Sequence, residues 1–471
     1  MQRSAAYFLT FPSAVLQQVI QTVESRMTQY AAPGQPGSVV AYRPRYDHFI
    51  GGDYVPPVSG AYVENVTPVT GEVFTEVARG TDADRARALH AASGAARAWG
   101  STTARERATV LCEIADRVEE HATELAVAET WDNGKPVREA LVADVPLLIE
   151  QFRQFAAVIR AEAGEVEQLG RNTCDYRSFQ PLGVVHERLP WTFPLLNAAR
   201  VLAPALAAGN AVVLEPALQT PASIHVLLGV IADLLPPGVV NVVTGSGDHP
   251  VRSGRCPNIF FADVTAQHDG FLDKALEGFA MFAANQGEVA TAPSRALIQT
   301  AVYEELLHLA TARTQQLRLG DPLDTDTMVG AVVSLDQRDR VLAYVERGKA
   351  EGARLVTGGE ASGHYVQPTI FEGDHRSTVF ADEVLGPIVS VTRFDDRDDA
   401  VKIANDATAQ LGAGVWCRDV ALAHNVGQEL RAERVWVNNY YAYSANTAVL
   451  AEYRRVKHLL VSYSDRAQGY F

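Results

Sequence analysis

Cysteine is scarce: the chain has four among 471 residues, and Cys112, Cys174, Cys256 and Cys417 stand far apart. They form no C-x-x-C pair and have no histidine pair nearby, which argues against structural zinc and fits thiols kept reduced in a cytoplasm. The twelve histidines supply no ligand pair either, so no metal is expected. Long apolar runs are lacking: although hydrophobic residues make up 47% of the chain, nothing approaches the ~20 consecutive apolar residues of a membrane helix. Basic charge is short as well. With a formal net charge of −15, a pI near 5.3 and no Lys/Arg block, the chain offers no surface for a polyanion. Neither membrane nor nucleic acid is an expected partner.

What is present is a long, mixed sequence. At 471 residues it exceeds one compact core, so two or three domains are expected. The first 26 residues match a signal peptide poorly, and Met27 opens a Gly/Pro-rich segment. Residues 1–35 therefore read as a flexible arm, or as a reading frame extended upstream of a start at Met27. After a run of short β-type segments, Thr81 and Asp82 can cap a helix. Two further stretches, "TARERATVLCEIADRVEEHATELAVAETW" and "VPLLIEQFRQFAAVIRAEAG", place apolar residues three and four apart and read as helices packed on one face.

From Pro181 strands and helices alternate: "LGVVHERLP", a helix from Pro194 to Ala208 stopped by Gly209, "NAVVLEPA", a helix from Pro221 to Leu235, and "VVNVVTG". Proline opens both helices, glycine closes the first, and the strands are continuously apolar, which predicts a doubly wound, nucleotide-binding type of parallel sheet. A second α/β domain follows, through "SRALIQ", "YVQPTIF", "GPIVSVTRF" and "RVWVNN". Finally "VKHLLVSYS" alternates apolar and polar residues after a finished domain, which suits a strand donated to a neighbouring subunit.

Read together, "PWTFPLLNAARVLAPALAAGNAVVLEPALQTP", "PPGVVNVVTG", "NQGEV…PSR", "GDPLDTDTMVG", "DEVLGPIVSV" and "RVWVNN" resemble the aldehyde dehydrogenase superfamily, in order, from about Tyr30 to the C-terminus. The opening looks like bacterial acetaldehyde-type members. The resemblance implies an α/β subunit in three parts. Residues 36–170 and 184–262 would form a Rossmann-like NAD(P)-binding domain, residues 263–445 a catalytic α/β domain, and residues 171–183 with 455–465 an oligomerisation arm. It also implies NAD or NADP as cofactor, and assembly as a homo-oligomer, dimer or tetramer, or as a hetero-oligomer with an active homologue.

The family's chemistry needs a thiolate to attack the aldehyde, a cofactor to take the hydride, and a carboxylate to activate water. At the position of the nucleophile stands Ala290, whose methyl group forms no thiohemiacetal. The general-base glutamate and the pyrophosphate turn belong to about forty residues that the family would carry between "VVTGSGDHPVRSGR" and "CPNIFFADV", about one βα unit and a strand. At the adenosine-ribose clamp the family's Lys and Glu are Glu215 and Leu218, beside Trp191. The oxyanion donor, an asparagine in the family, is Thr192. Glu383 matches the glutamate that holds the nicotinamide ribose. A Gly-rich loop before the last strand is also missing.

Two residues could substitute. Cys256, near the lost base segment, is a candidate nucleophile against the plainer reading of a core thiol, and Glu288 is a candidate general base against the plainer reading of inherited loop structure. Three readings stay open: an inactive homologue acting as partner or scaffold, an enzyme repurposed for non-redox chemistry on a carbonyl compound, and a damaged gene product.

Overall fold

The computed structural model describes residues 28–245, 254–375, 377–382, 384–406, 410–443 and 446–467. Of the arm expected over residues 1–35, residues 28–35 depart from that expectation. The Thr28 amide donates to Thr325 Oγ1 at 2.9 Å and the Tyr30 amide to the Leu323 carbonyl at 3.0 Å, so this piece is tied to a turn of the second domain.

The helices form where capping and apolar spacing agree. Thr81 caps Asp82–Gly100 in a reciprocal box with Asp84, and Thr103 with Glu106 does the same for Ala104–Glu120. Along Ala104–Glu120 the buried residues are Ala108, Leu111, Ile114, Ala115 and Val118, one stripe at helical spacing. That stripe packs on Phe152, Phe155 and Ile159 of Val145–Ala161 in the largest core cluster. Each buried phenylalanine there contributes roughly 1.5–3 kcal/mol. Pro194–Ala208 starts on its proline and ends at Gly209, at φ 93°.

The first parallel sheet has five strands in the order Asp53–Val55, His48–Ile50, Val240–Val242, Ala211–Pro216 and Val184–Leu189. The last three are mutually parallel, and His48–Ile50 lies antiparallel beside Val240–Val242 with Phe49 opposite Val242. In chain order these parallel strands stand 3-2-1. A doubly wound sheet continues from its first strand into a fourth and fifth. Here Val184–Leu189 is the edge, and only fourteen residues separate Val242 from Pro257, too few for the ~30 of a further βαβ unit. The middle of this edge, His186, Glu187 and Arg188, is exposed and polar, a composition that discourages edge pairing.

The second sheet has seven strands, in the order Arg354–Thr357, Thr369–Glu372, Ile388–Phe394, Arg295–Gln299, Pro257–Phe260, Ala413–Trp416 and Val435–Val437, parallel except for the first. Pro257–Phe260 is an inner strand, between Arg295–Gln299 and Ala413–Trp416. Sheet membership therefore changes between Val242 and Pro257, ahead of the division expected at residue 262. The four residues of this strand, Pro-Asn-Ile-Phe, are too short a text to announce which sheet they join.

The final strand, expected to reach a neighbouring subunit, has a partner within its own chain and is an edge of its sheet. Arg454–Ser462 pairs antiparallel with Thr173–Pro181 of the same chain, with His458 opposite Arg177, and Glu165–Gly170 completes a three-stranded arm. The arm exposes Val166, Leu169, Phe179, Val456, Leu459 and Leu460. No helix among the described residues is long and apolar enough to cross a membrane.

Candidate active site

The stretch Asn285 to Arg295 runs from the end of Gly270–Ala280 to the central strand Arg295–Gln299. Asn285 and Gln286 take left-handed backbone at φ 48° and 44°, and Gly287 follows at φ 72°. A Cβ on Gly287 would meet the Gly386 carbonyl oxygen at 2.0 Å, so this position admits only glycine. The turn is anchored from outside: the Asn285 amide donates to Glu139 Oε2 at 2.8 Å, and Asn285 Nδ2 donates to the Glu288 carbonyl at 3.0 Å. Ala290 follows in a half-buried turn.

Glu288 is fully buried. Its carboxyl accepts from the Val333 amide at 3.0 Å and from Gln286 Nε2 at 3.2 Å, and burial holds its pKa well above the ordinary carboxylate range. Cys256 comes close to the vacated position. Its thiol donates to the Gly254 carbonyl at 3.1 Å and lies 3.9 Å from the Ala290 carbonyl oxygen. Cys256 is buried and forms no disulfide, and both of these contacts are to backbone carbonyl oxygens.

Below the turn lies an ionic group that sequence reasoning missed. Lys135 is fully buried, with Nζ 2.6 Å from Asp144 Oδ2, 3.1 Å from Glu129 Oε1 and 4.0 Å from the centre of the Phe193 ring. Glu129 Oε2 also accepts from the Leu195 amide at 3.0 Å, in the first turn of Pro194–Ala208. Burial outweighs the attraction of Lys135 and pushes Glu129 up to about 7, whereas for Lys135 two carboxylates outweigh burial and its pKa is raised. Glu139 is likewise pushed up to about 7 by burial, helped by Asp144. The signal available in the sequence was "DNGKP", a lysine placed after a tight Asn-Gly turn, with Gly134 at φ 90°.

The clamp positions lie at the end of Ala211–Pro216. Glu215 is 1% exposed and has three basic side chains around it: Arg85 Nε at 2.5 Å, His186 Nε2 at 3.2 Å and Arg188 Nε at 3.2 Å. Leu218 sits half-buried in the following turn. Trp191 packs with Ala217 and Val333, with Leu385 against them, and its carbonyl accepts from Asn133 Nδ2 at 3.0 Å. Thr192 is buried beside Phe193, which has φ 48°, and its carbonyl accepts from Asn197 Nδ2 at 2.5 Å. Glu383 lies outside the described residues. The structure thus links Ala290, Cys256, Glu288 and Trp191 through Val333 and the turn, while Glu215 and Leu218 belong to the first sheet.

Two α/β sheets, a strained turn that enters the second of them at Arg295–Gln299, and an antiparallel arm define an oxidoreductase-type subunit. The aldehyde dehydrogenase family profile matches residues 54–262 and 253–450, two stretches that meet where the first sheet is cut short. The chain belongs to this family. It is 51% identical to the fluoroacetaldehyde dehydrogenase of Streptantibioticus cattleyicolor and 48% identical to the EPTC-inducible aldehyde dehydrogenase of Rhodococcus erythropolis, in each case over 94% of this chain and 100% of the relative. Both alignments span 507 positions, more than the 471 residues here, so these relatives carry chain that this protein does not. Among solved structures, a putative aldehyde dehydrogenase from Burkholderia cenocepacia superimposes with TM-score 0.85 at 30% identity, covering 91% of this chain and 100% of that one. The P. syringae indole-3-acetaldehyde dehydrogenase, a cysteine-to-alanine variant in complex with NAD+ and IAA, does so with TM-score 0.84 at 29% identity, covering 96% and 100%. Use of NAD(P) is thereby a property of the family.

Proposed function

We propose that this chain is a family member that no longer oxidises aldehydes by the NAD-dependent route, and that it persists as a cytoplasmic oligomer acting as partner or scaffold. The observation that carries the reading is Ala290, a methyl group on a correctly turned nucleophile loop. Loss of a covalent nucleophile costs ~10⁴-fold or more in rate.

The cofactor argument is separate, because alanine at a cysteine position does not by itself prevent NAD+ from binding in the P. syringae protein. A dinucleotide lies in the crevice at the topological switch point, between the first and fourth strands. With Val184–Leu189 at the edge, that crevice has one wall. Glu215 places a carboxylate where a ribose donor is needed and already lies against Arg85, His186 and Arg188. The residues present do not fit NAD or NADP. The exposed apolar face of the arm supports assembly with a second copy or with an active homologue.

The repurposed-enzyme reading draws on Glu288, whose raised pKa suits proton transfer. Its oxygens are engaged by Val333 and Gln286, so the inactive reading is preferred. Calorimetric titration of NAD+ and NADP+ into the purified oligomer, with NADH formation from a short aliphatic aldehyde followed in parallel, tests the proposal. No heat and no NADH are expected; turnover at ordinary rates, 1 to ~10³ s⁻¹, would overturn it.

A further inference from the structure

The segment tied down at Thr28 and Tyr30 lines a cavity of about 350 Å³ that takes no residue from the nucleophile turn. Gln29 bridges to Asp324, Gln29 Nε2 donates to Asp321 Oδ2 at 3.1 Å, and the Tyr30 amide donates to the Leu323 carbonyl at 3.0 Å. These contacts set Tyr30 and Asp321 into one wall, and Val69, Trp131 and Leu323 line the same cavity. Trp131 and Leu323 are buried, at 5% and 2% exposed, and Tyr30 is half-buried, so this lining belongs to the packed core. Trp131 is held edge-on to Phe74, which meets Tyr42 in the same way.

Asp321 is the one charged residue lining the cavity among the described residues. Its carboxylate is oriented by two neutral donors, the Leu323 amide on Oδ1 at 2.9 Å and Gln29 on Oδ2. No basic side chain pairs with it among the described residues, whereas Asp326 of the same loop has Arg318 at 2.8 Å. Its negative charge is therefore positioned but not cancelled. Two aromatic residues and a carboxylate around an otherwise apolar and amide-lined space, in a chain of net charge −15, suit a cation that also has carbon to bury. A neutral molecule leaves the carboxylate uncompensated, an anion is repelled by it, and an inorganic cation makes no use of the apolar wall.

We propose that this cavity binds a small organic ammonium ion, with its charge against Asp321 and its carbon against Tyr30 and Trp131. The site goes beyond the reading above and requires no redox chemistry.

The full chain is titrated at constant ionic strength with butylammonium, butan-1-ol, butyrate and potassium, with binding read by calorimetry and tryptophan fluorescence. Saturable binding of butylammonium alone is expected. It should be at least about tenfold weaker in Asp321→Asn and about fivefold weaker in Tyr30→Leu, while Tyr30→Phe, which keeps the ring, binds like the parent. Thr70→Lys sets a competing cation among the lining residues and should also abolish binding. Asp321 and Thr70 are exposed, so the thermal midpoints of their variants, measured alongside, stay in place. The proposal is overturned by absence of saturation up to about 10 mM butylammonium, by equal binding of butan-1-ol or butyrate, or by Asp321→Asn and Thr70→Lys variants that bind like the parent. Potassium binding as tightly as butylammonium would overturn the ligand class.

Discussion

Replacing Lys135 with methionine tests the buried ionic group most directly. The side chain is fully buried and its ammonium touches Asp144 Oδ2 at 2.6 Å and Glu129 Oε1 at 3.1 Å, so a neutral side chain leaves two carboxyls facing each other without a cation. Breaking a buried pair by removing one partner costs about 3–5 kcal/mol. Part of this is recovered near neutral pH, because burial already pushes Glu129 up to about 7 and its protonation there needs little work. The remaining penalty falls on Asp144, and a loss of about 3 kcal/mol is expected at pH ~7. The sign with pH is fixed by linkage. Without the cation Glu129, already raised by burial, holds its proton still more tightly folded than unfolded, so the variant loses stability as pH rises, and its deficit grows from about pH 5.5 to about pH 8. Urea unfolding followed by circular dichroism at those two pH values reads this. A deficit under about 1 kcal/mol at the higher pH, or a larger one at the lower, would refute the reasoning.

Asp132 and Glu139, pushed by burial to about 6 and about 7, have raised folded values, so their contributions are fully present below the ordinary carboxyl pKa and are lost as pH rises through the raised one. Glu139→Gln should flatten the decline in urea midpoint between about pH 5 and pH 7; an unchanged slope would show that the carboxyl is not the titrating group. Ala290→Cys should yield a reactive thiol but no NADH from acetaldehyde, since the base and half of the cofactor crevice are absent as well; recovery of turnover from that change alone would refute the account of the shortened sheet. Glu215→Lys would replace the buried counter-ion of Arg85 and Arg188 with another cation, and a loss of about 2–4 kcal/mol without any gain in NAD+ binding is expected from urea unfolding and calorimetry. An unchanged midpoint would mean that these contacts carry no net energy.

Much of the fold was legible because local chemistry and tertiary context agree. Pro194 and Gly209 bound their helix as read, Thr81 caps as read, and the apolar runs "AVVLEP" and "RALIQ" are strands of parallel sheets. What was not legible depends on partners. An alternating strand such as Arg454–Ser462 states which face is apolar but not which chain it pairs with, and a period of two serves a partner in cis as well as one in trans. The apolar text around Pro257–Phe260 suits either sheet, and the landmark that would separate them lies in the stretch this chain lacks. Of the site, the loop and the nearness of Cys256 to Ala290 were legible through the family resemblance, and the thiol lies 3.9 Å from the Ala290 carbonyl oxygen. Glu129, Lys135 and Asp144 were not, because single charges in helical text read as solvated positions until packing puts them together.

The geometry of the nucleophile loop separates the fold from its chemistry. The turn is held by the Glu139 contact to the Asn285 amide, by the Val333 amide on Glu288 and by the close approach of Gly287 to Gly386. None of these involves the side chain at 290, so a methyl group there leaves the loop intact and costs the fold nothing. The shortened sheet is different in kind. Removing strands outside Val184–Leu189 exposes an edge, and that edge carries His186, Glu187 and Arg188, with His186 and Arg188 both drawn onto Glu215. A carboxylate at 215 thus gives Arg188 a buried counter-ion and brings His186 to the same group. On the proposed reading that 215 is the cofactor-clamp position, the residue that removes the ribose donor is also one that holds this edge together, so the two departures at the first sheet form one structural adaptation, independent of the alanine in the second.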